Sequence, residues 1–182
     1  MAVKLHNTFI DAKRVNDAAK FASDWQLTHP ADSGFLAYLG GLSLADGSYA
    51  AAEKYYAAAL GIEPRNFVFI NNIAWLRSKQ NKAGAVALAA SAVALSPKNS
   101  VLLDTYALTL AGEGQFDKAV EAAKAALAFA PGVPLFQLNL AKLYMQVGQP
   151  ALAKIELEKL SALGGRYDNQ VEISKLLKTL SP

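Results

Sequence analysis

Apolar side chains recur along the chain at the three- and four-residue spacing of a helix face, and polar turn signals interrupt them at regular intervals. Phe35, Leu36, Leu39 and Leu42 form one such face, and Tyr49, Ala52, Tyr56, Ala59 and Leu60 form another. Between them lies Asp46-Gly47-Ser48, a turn-forming triplet. Equivalent breaks follow at Gln80-Asn81, Gly112-Glu113-Gly114 and Gly148-Gln149-Pro150, the last placing proline at a first helical position, where its missing N–H costs nothing. Pro64-Arg65-Asn66 and Pro97-Lys98-Asn99-Ser100 stop one helix and offer Asn or Ser to cap the next. The pattern predicts helices over 2–12, 14–28, 33–46, 49–61, 67–80, 82–95, 100–112, 116–129, 134–147 and 150–163. An amphipathic stretch over 168–180 follows them.

The helices come in pairs, and the pairs repeat. Pro30, Pro64, Pro97 and Pro131 are 34, 33 and 34 residues apart, the period of a helix-turn-helix unit. Twelve residues before each proline stand Ala18, Ala52, Ala85 and Ala119, and Ala153 continues the column. A second small column runs through Gly40, Ala74, Ala107 and Ala141. Small residues at fixed places let neighbouring helices approach, since a larger side chain would hold their backbones apart. The expected fold is therefore all-α, a solenoid of about five helical hairpins. The units fall near 1–32, 33–66, 67–99, 100–133 and 134–167, the first truncated at its start. The array over 1–165 is followed by a terminal segment, 168–182, expected to cover the apolar end of the stack, as solenoids require.

Trp25, Leu39, Gly40, Tyr49, Ala52, Tyr56, Ala59 and Pro64 together resemble the tetratricopeptide repeat family, and the resemblance runs over essentially the whole chain. The aromatic usual early in each repeat is replaced by Leu36, Ile70, Leu103 and Gln137. The short first unit fits a piece of a longer array. The resemblance implies a right-handed α-solenoid in which the first helix of each hairpin lines a concave face. Carried onto this sequence, the inward places are Ala37, Gly41 and Leu44; Val68, Asn71 and Trp75; Val101, Asp104 and Leu108; and Leu135, Leu138, Lys142 and Met145. This is a largely apolar trough with a few polar contacts, suited to a protein or peptide ligand. Trp75 has two readings, a rigid interface anchor or a core side chain packed on a neighbouring helix. Asn71-Asn72 either bonds a peptide backbone or is satisfied locally. The Lys, Asn and Arg clamp with which some relatives hold an acidic C-terminus is absent, because Val101 and Thr105 stand where its basic residues belong.

Composition narrows the function. Hydrophobic residues make up 53% and charged residues 18%, a profile that supports a buried core and excludes a disordered tail. A net charge of +3, with Lys and Arg scattered, argues against nucleic acid as a partner. Without cysteine there is no disulfide framework and no thiolate metal site or nucleophile. His6 and His29 are the only histidines, have no ligand-spaced partner, and read as surface residues. Glu156 and Glu158 are two apart on a helix and cannot face one another. No phosphate loop or nucleophile elbow occurs, so no catalytic, cofactor or metal residue is assigned and an enzyme is not expected. No stretch approaches the roughly 20 apolar residues of a membrane span.

A narrower likeness rests on Ile70-Asn71-Asn72-Ile73-Ala74-Trp75-Leu76, on the run from Ala94 through Ser96-Pro97-Lys98-Asn99-Ser100 to Thr105, and on Ala153-Lys154-Ile155-Glu156-Leu157-Glu158-Lys159-Leu160. These stretches resemble the C-terminal region of bacterial PEP-CTERM-system repeat lipoproteins. That resemblance implies an envelope setting linked to exopolysaccharide and protein sorting, with the signal and anchor outside this sequence. Two other settings stay open: a self-associating structural spacer and a general cytoplasmic adaptor.

Overall fold

The computed structural model describes residues 1–180; the expected terminal unit, 168–182, runs two residues past them. Among the described residues the chain forms α1 (Ala2–Asp11), α2 (Val15–Thr28), α3 (Ser33–Ala45), α4 (Tyr49–Ile62), α5 (Phe67–Lys79), α6 (Ala85–Leu95), α7 (Ser100–Gly112), α8 (Phe116–Phe129), α9 (Pro134–Gln146), α10 (Pro150–Ser161) and α11 (Gln170–Thr179). No strand occurs among these residues, and the helices stack as antiparallel pairs into a right-handed α-solenoid. Each pair packs internally and then against the first helix of the next, and α5 also lies alongside α7.

The two small columns sit where the helices come closest. Ala52, Ala119 and Ala153 are fully buried, as are Ala74, Ala107 and Ala141, so a longer side chain at any of them would displace a helix. Gly40 shows the constraint most directly, because a Cβ there would lie 3.0 Å from the Tyr56 ring. The expected caps also form. The Asn66 side chain accepts from the Val68 and Phe69 amides, and Asn99 accepts from those of Val101 and Leu102. Each bond satisfies an amide that the helix start leaves without a partner. Glu53 on α4 ties its helix to the next pair, accepting from Arg77 at 2.8 Å, Gln80 at 3.1 Å and Lys82 at 2.6 Å.

Two elements depart from expectation. The sequence pattern starts a helix at 82, but α6 begins at Ala85. Asn81 (φ 52°) and Gly84 (φ 84°) both adopt left-handed backbone, which lengthens the turn by a few residues. The second departure is at the first hairpin. Five residues before the repeat-ending proline stand fully buried Ala59, Ala92 and Ala126, but the matching place in α2 holds Trp25. Its indole packs on Phe21 and Phe35, stacks on His29 at 3.7 Å and donates to Asp32 at 2.9 Å. The bulk holds α2 away from α3, so the two meet through aromatic side chains rather than by close backbone approach. His6, expected at the surface, belongs to this aromatic cluster. It is buried against Phe35 and Tyr38, its Nδ1 lies 2.8 Å from the Tyr38 hydroxyl, and burial lowers its pKa. The spacing of α1 could not reveal this, because the cluster is assembled from residues about thirty positions away.

At the other end α11 closes the stack. Ile173 is fully buried against Leu138, Leu157 and Leu160, with Leu176 and Leu177 packed around it. The short 3-10 turn Gly164–Arg166 reverses the chain ahead of it.

Candidate functional site

The first helices α3, α5, α7 and α9 present side chains in rows, because each starts at the same place in its repeat. The second residues of α5, α7 and α9 are Val68, Val101 and Leu135, which are 48%, 54% and 49% exposed. They form an aliphatic rim with one member per repeat. Pro134 precedes the last of them at a first helical position, and the Asn66 and Asn99 caps fix the other two starts.

The fifth residues lie deeper. Asn71 and Asp104 occupy this place in α5 and α7 and are only 8% and 6% exposed. Asp104 accepts from the Nδ2 of Asn139, a sixth residue of α9, with both carboxylate oxygens at 3.0 Å. Burial pushes the Asp104 pKa up to about 6, against an opposing pull from the Asn139 bond. The carboxamide oxygen of Asn71 is buried and has no hydrogen-bond partner. An unpaired buried acceptor typically costs about 1–3 kcal/mol, so this floor is less stable than an apolar one would be.

The ninth residues, one turn further on, are Trp75, Leu108 and Lys142. Trp75 is half-buried, with an edge-to-face contact to Tyr49 at 5.7 Å and the Lys79 ammonium 5.2 Å from its ring centre. It thus packs on the preceding hairpin, as the core reading has it. Leu108 and Met145 are half-buried, and Leu44 packs in the same apolar cluster as Trp75.

Besides the buried Asn71 and Asp104, two expected groove residues are engaged by α11. Leu138 is fully buried beneath α11, because the terminal helix takes the place a following repeat would occupy. Lys142 is held by Glu172 of α11 at 2.7 Å. Sequence reasoning also missed Asn139, whose one signal is a lone carboxamide inside the apolar run Leu138-Asn139-Leu140, and Glu172, whose role depends on where α11 docks.

A separate cleft of about 570 Å³ opens at the first hairpin, where Trp25 props α2 off α3. Ala19, Ala22 and Gln26 line one wall, and Leu39, Leu42 and Tyr55 line the other. Among the described residues no group of three or more His, Asp or Glu could hold a metal ion, and no helix is long and apolar enough to cross a membrane.

Comparison with known proteins bears on both fold and repeat. Residues 110–170 match the family model of the tetratricopeptide repeat. The solved structure of MamA, residues 41 to the end, from Desulfovibrio magneticus RS-1 superposes with a TM-score of 0.77 at 17% identity, covering 92% of this chain and 95% of that one. TTC0263, a thermophilic TPR protein of Thermus thermophilus, gives 0.75 at 20% identity, with 97% of each chain covered. YrrB, described as a TPR protein with an unusual peptide-binding site, gives 0.71 at 16% identity, covering 96% of this chain and 90% of that one. No curated protein matches the sequence. Matches at this identity establish the fold, and the family model adds the tetratricopeptide repeat for residues 110–170.

Proposed function

We propose that the chain is a protein-interaction scaffold whose concave face, lined by α3, α5, α7 and α9, receives an extended peptide or a helix of a partner protein. The observation that carries this reading is the rim of Val68, Val101 and Leu135, branched aliphatics about half exposed at one register in three successive repeats. A lone exposed valine means little, but a row at repeat spacing offers a continuous apolar track beside the partly covered Trp75, Leu108 and Met145. The peptide-binding site named for YrrB, on the same fold, favours the same reading. Peptides displayed on phage and selected on the immobilised chain test it. Val68→Ser, Val101→Ser and Leu135→Ser combined should abolish capture of the selected peptides while leaving the circular dichroism spectrum unchanged. Undiminished capture would place the binding surface elsewhere.

The setting we propose is a bacterial envelope, in association with exopolysaccharide production and PEP-CTERM protein sorting. Its support is the likeness of the stretches around Ile70–Leu76, Ala94–Thr105 and Ala153–Leu160. Fractionation of the native organism, with the chain followed by antibody, tests it, and recovery only with cytosolic markers would refute it. A second reading, a self-associating spacer, draws on the exposed Val15 and Leu27 of α2. Light scattering distinguishes the two, since a monomer at all concentrations excludes the spacer.

A further inference from the structure

The floor of the concave face holds polar side chains with few hydrogen-bond partners. Asp104 is a carboxylate more than nine-tenths buried, and its one side-chain partner is the amide of Asn139. Among the described residues no lysine, arginine or histidine forms an ion pair with it. The two basic side chains at the groove are otherwise engaged, Lys142 with Glu172 and Lys79 over Trp75. On the helix that packs alongside, at the same register, Asn71 holds a buried carboxamide oxygen with no partner. Two neighbouring first helices therefore each carry a buried, under-satisfied polar side chain at the same register position.

Such a strip discriminates by charge. A buried carboxylate with a single amide donor repels an acidic group and leaves an apolar one with unpaired acceptors beneath it. A side chain rich in N–H donors supplies what is missing. The aromatic ring of Trp75, one turn along from Asn71, already takes an ammonium, that of Lys79, 5.2 Å from its centre. The aliphatic rim of Val68 and Val101 runs beside the strip and would take the apolar part of the same ligand.

We propose that the concave face selects a peptide segment carrying a basic side chain, lysine or arginine, which docks over Asp104 and Asn71 between α5 and α7, with flanking apolar residues on the Val68 and Val101 rim. The proposal rests on the scaffold reading above and names the ligand chemistry of that same face. Its sign is opposite to that of a basic clamp on an acidic terminus.

The test uses the full chain, biotinylated, and a positional-scanning library of short capped peptides sorted by the residue fixed at each position, at neutral pH and low salt. Pools fixed with Arg or Lys at one position should be retained about tenfold or more over the matching Gln pool, the scale of a close charge pair at an interface. Asp104→Asn should level that difference, and Asn71→Ala should reduce it. Asp117→Asn, which removes the same charge from exposed α8, should leave it intact. Enrichment of acidic pools, no charge preference, or a basic preference that survives Asp104→Asn would overturn the proposal while leaving the scaffold reading standing. Retention of no pool above background would overturn the scaffold reading itself.

Discussion

Asp104→Asn should make the protein more stable at pH 8 and should remove a component of its pH dependence. The folded-state pKa of this carboxyl is raised from 3.8 to about 6, first by burial and only partly offset by the Asn139 bond. A raised carboxyl pKa means that the folded chain holds the proton more firmly than the unfolded one. Its favourable contribution is then complete below the unfolded pKa and is lost as pH rises through the folded value. Two units at 1.36 kcal/mol each set the loss between pH 4 and pH 7 at about 3 kcal/mol. The asparagine keeps the acceptor that Asn139 uses and removes the buried charge, but it adds an amide N–H₂ that needs a partner. A net gain of about 1–2 kcal/mol at pH 8 is therefore expected. The assay is urea unfolding followed by circular dichroism at several pH values from 4 to 8, with the difference in midpoint between variant and native chain plotted against pH. That difference should grow as pH rises through about 6. Parallel profiles across the whole range would refute the argument, because they would mean that Asp104 titrates alike in the folded and unfolded chain.

Three further outcomes follow. Removing residues 168–182 should lower stability by at least about 1.5–3 kcal/mol, the worth of one buried aliphatic, since Ile173 is fully covered and Leu138 would be uncovered in turn; an unchanged melting temperature would sink the capping role. Trp75→Ala should cost about 2–3 kcal/mol in thermal or urea unfolding, below the range for a wholly enclosed tryptophan because the ring is half-buried, and should also weaken peptide capture; a large loss of stability with capture intact would make Trp75 purely structural. Glu53→Gln should destabilise by about 1 kcal/mol near neutral pH, with the gap closing in acid. Burial alone would raise the Glu53 pKa, but the bonds from Lys82, Arg77 and Gln80 prevail and lower it, so its contribution is present above the unfolded pKa and lost as pH falls; a gap that persists at low pH would refute this.

The architecture was legible because a solenoid repeats its instructions. Every helix has its counterpart in the sequence pattern, and most ends agree within a residue or two, since prolines and asparagine caps mark them chemically. The start of α6 was misplaced because its signal is the left-handed backbone of Asn81 and Gly84, and the sequence offered several residues there that could open a helix. Trp25 was legible as a tryptophan but not as a wedge. Its consequence depends on the alanines it replaces in other repeats, which becomes visible only when the repeats are overlaid by register. At the candidate site, the exposure of individual side chains was legible only in part. Val68 and Val101 lie open as expected, whereas Asn71, Asp104 and Leu138 are buried. Burial there is set by the adjacent repeat and by α11, and no local pattern encodes either.

The polar floor is also where local and global demands conflict. Leucine at positions 71 and 104 would keep the helical period, extend the cores around Ile73 and Leu110, and leave no acceptor unpaired. The chain instead carries an orphaned carboxamide oxygen and a carboxylate whose ionisation opposes folding at neutral pH. Neither caps a helix or joins an ion pair among the described residues, and Asp104 holds only the Asn139 amide, whereas Glu53, Asp32 and Asn66 each hold backbone donors or several side-chain donors in place. On the proposal above, a strip that weakens the fold and repeats across two adjoining helices is where a ligand's donors would complete the structure. Binding and stability are then coupled at Asp104. The substitution that raises the unfolding midpoint at pH 8 is the same one that should erase the preference for basic peptides, and a variant that separated the two effects would show that the buried charge serves some other end.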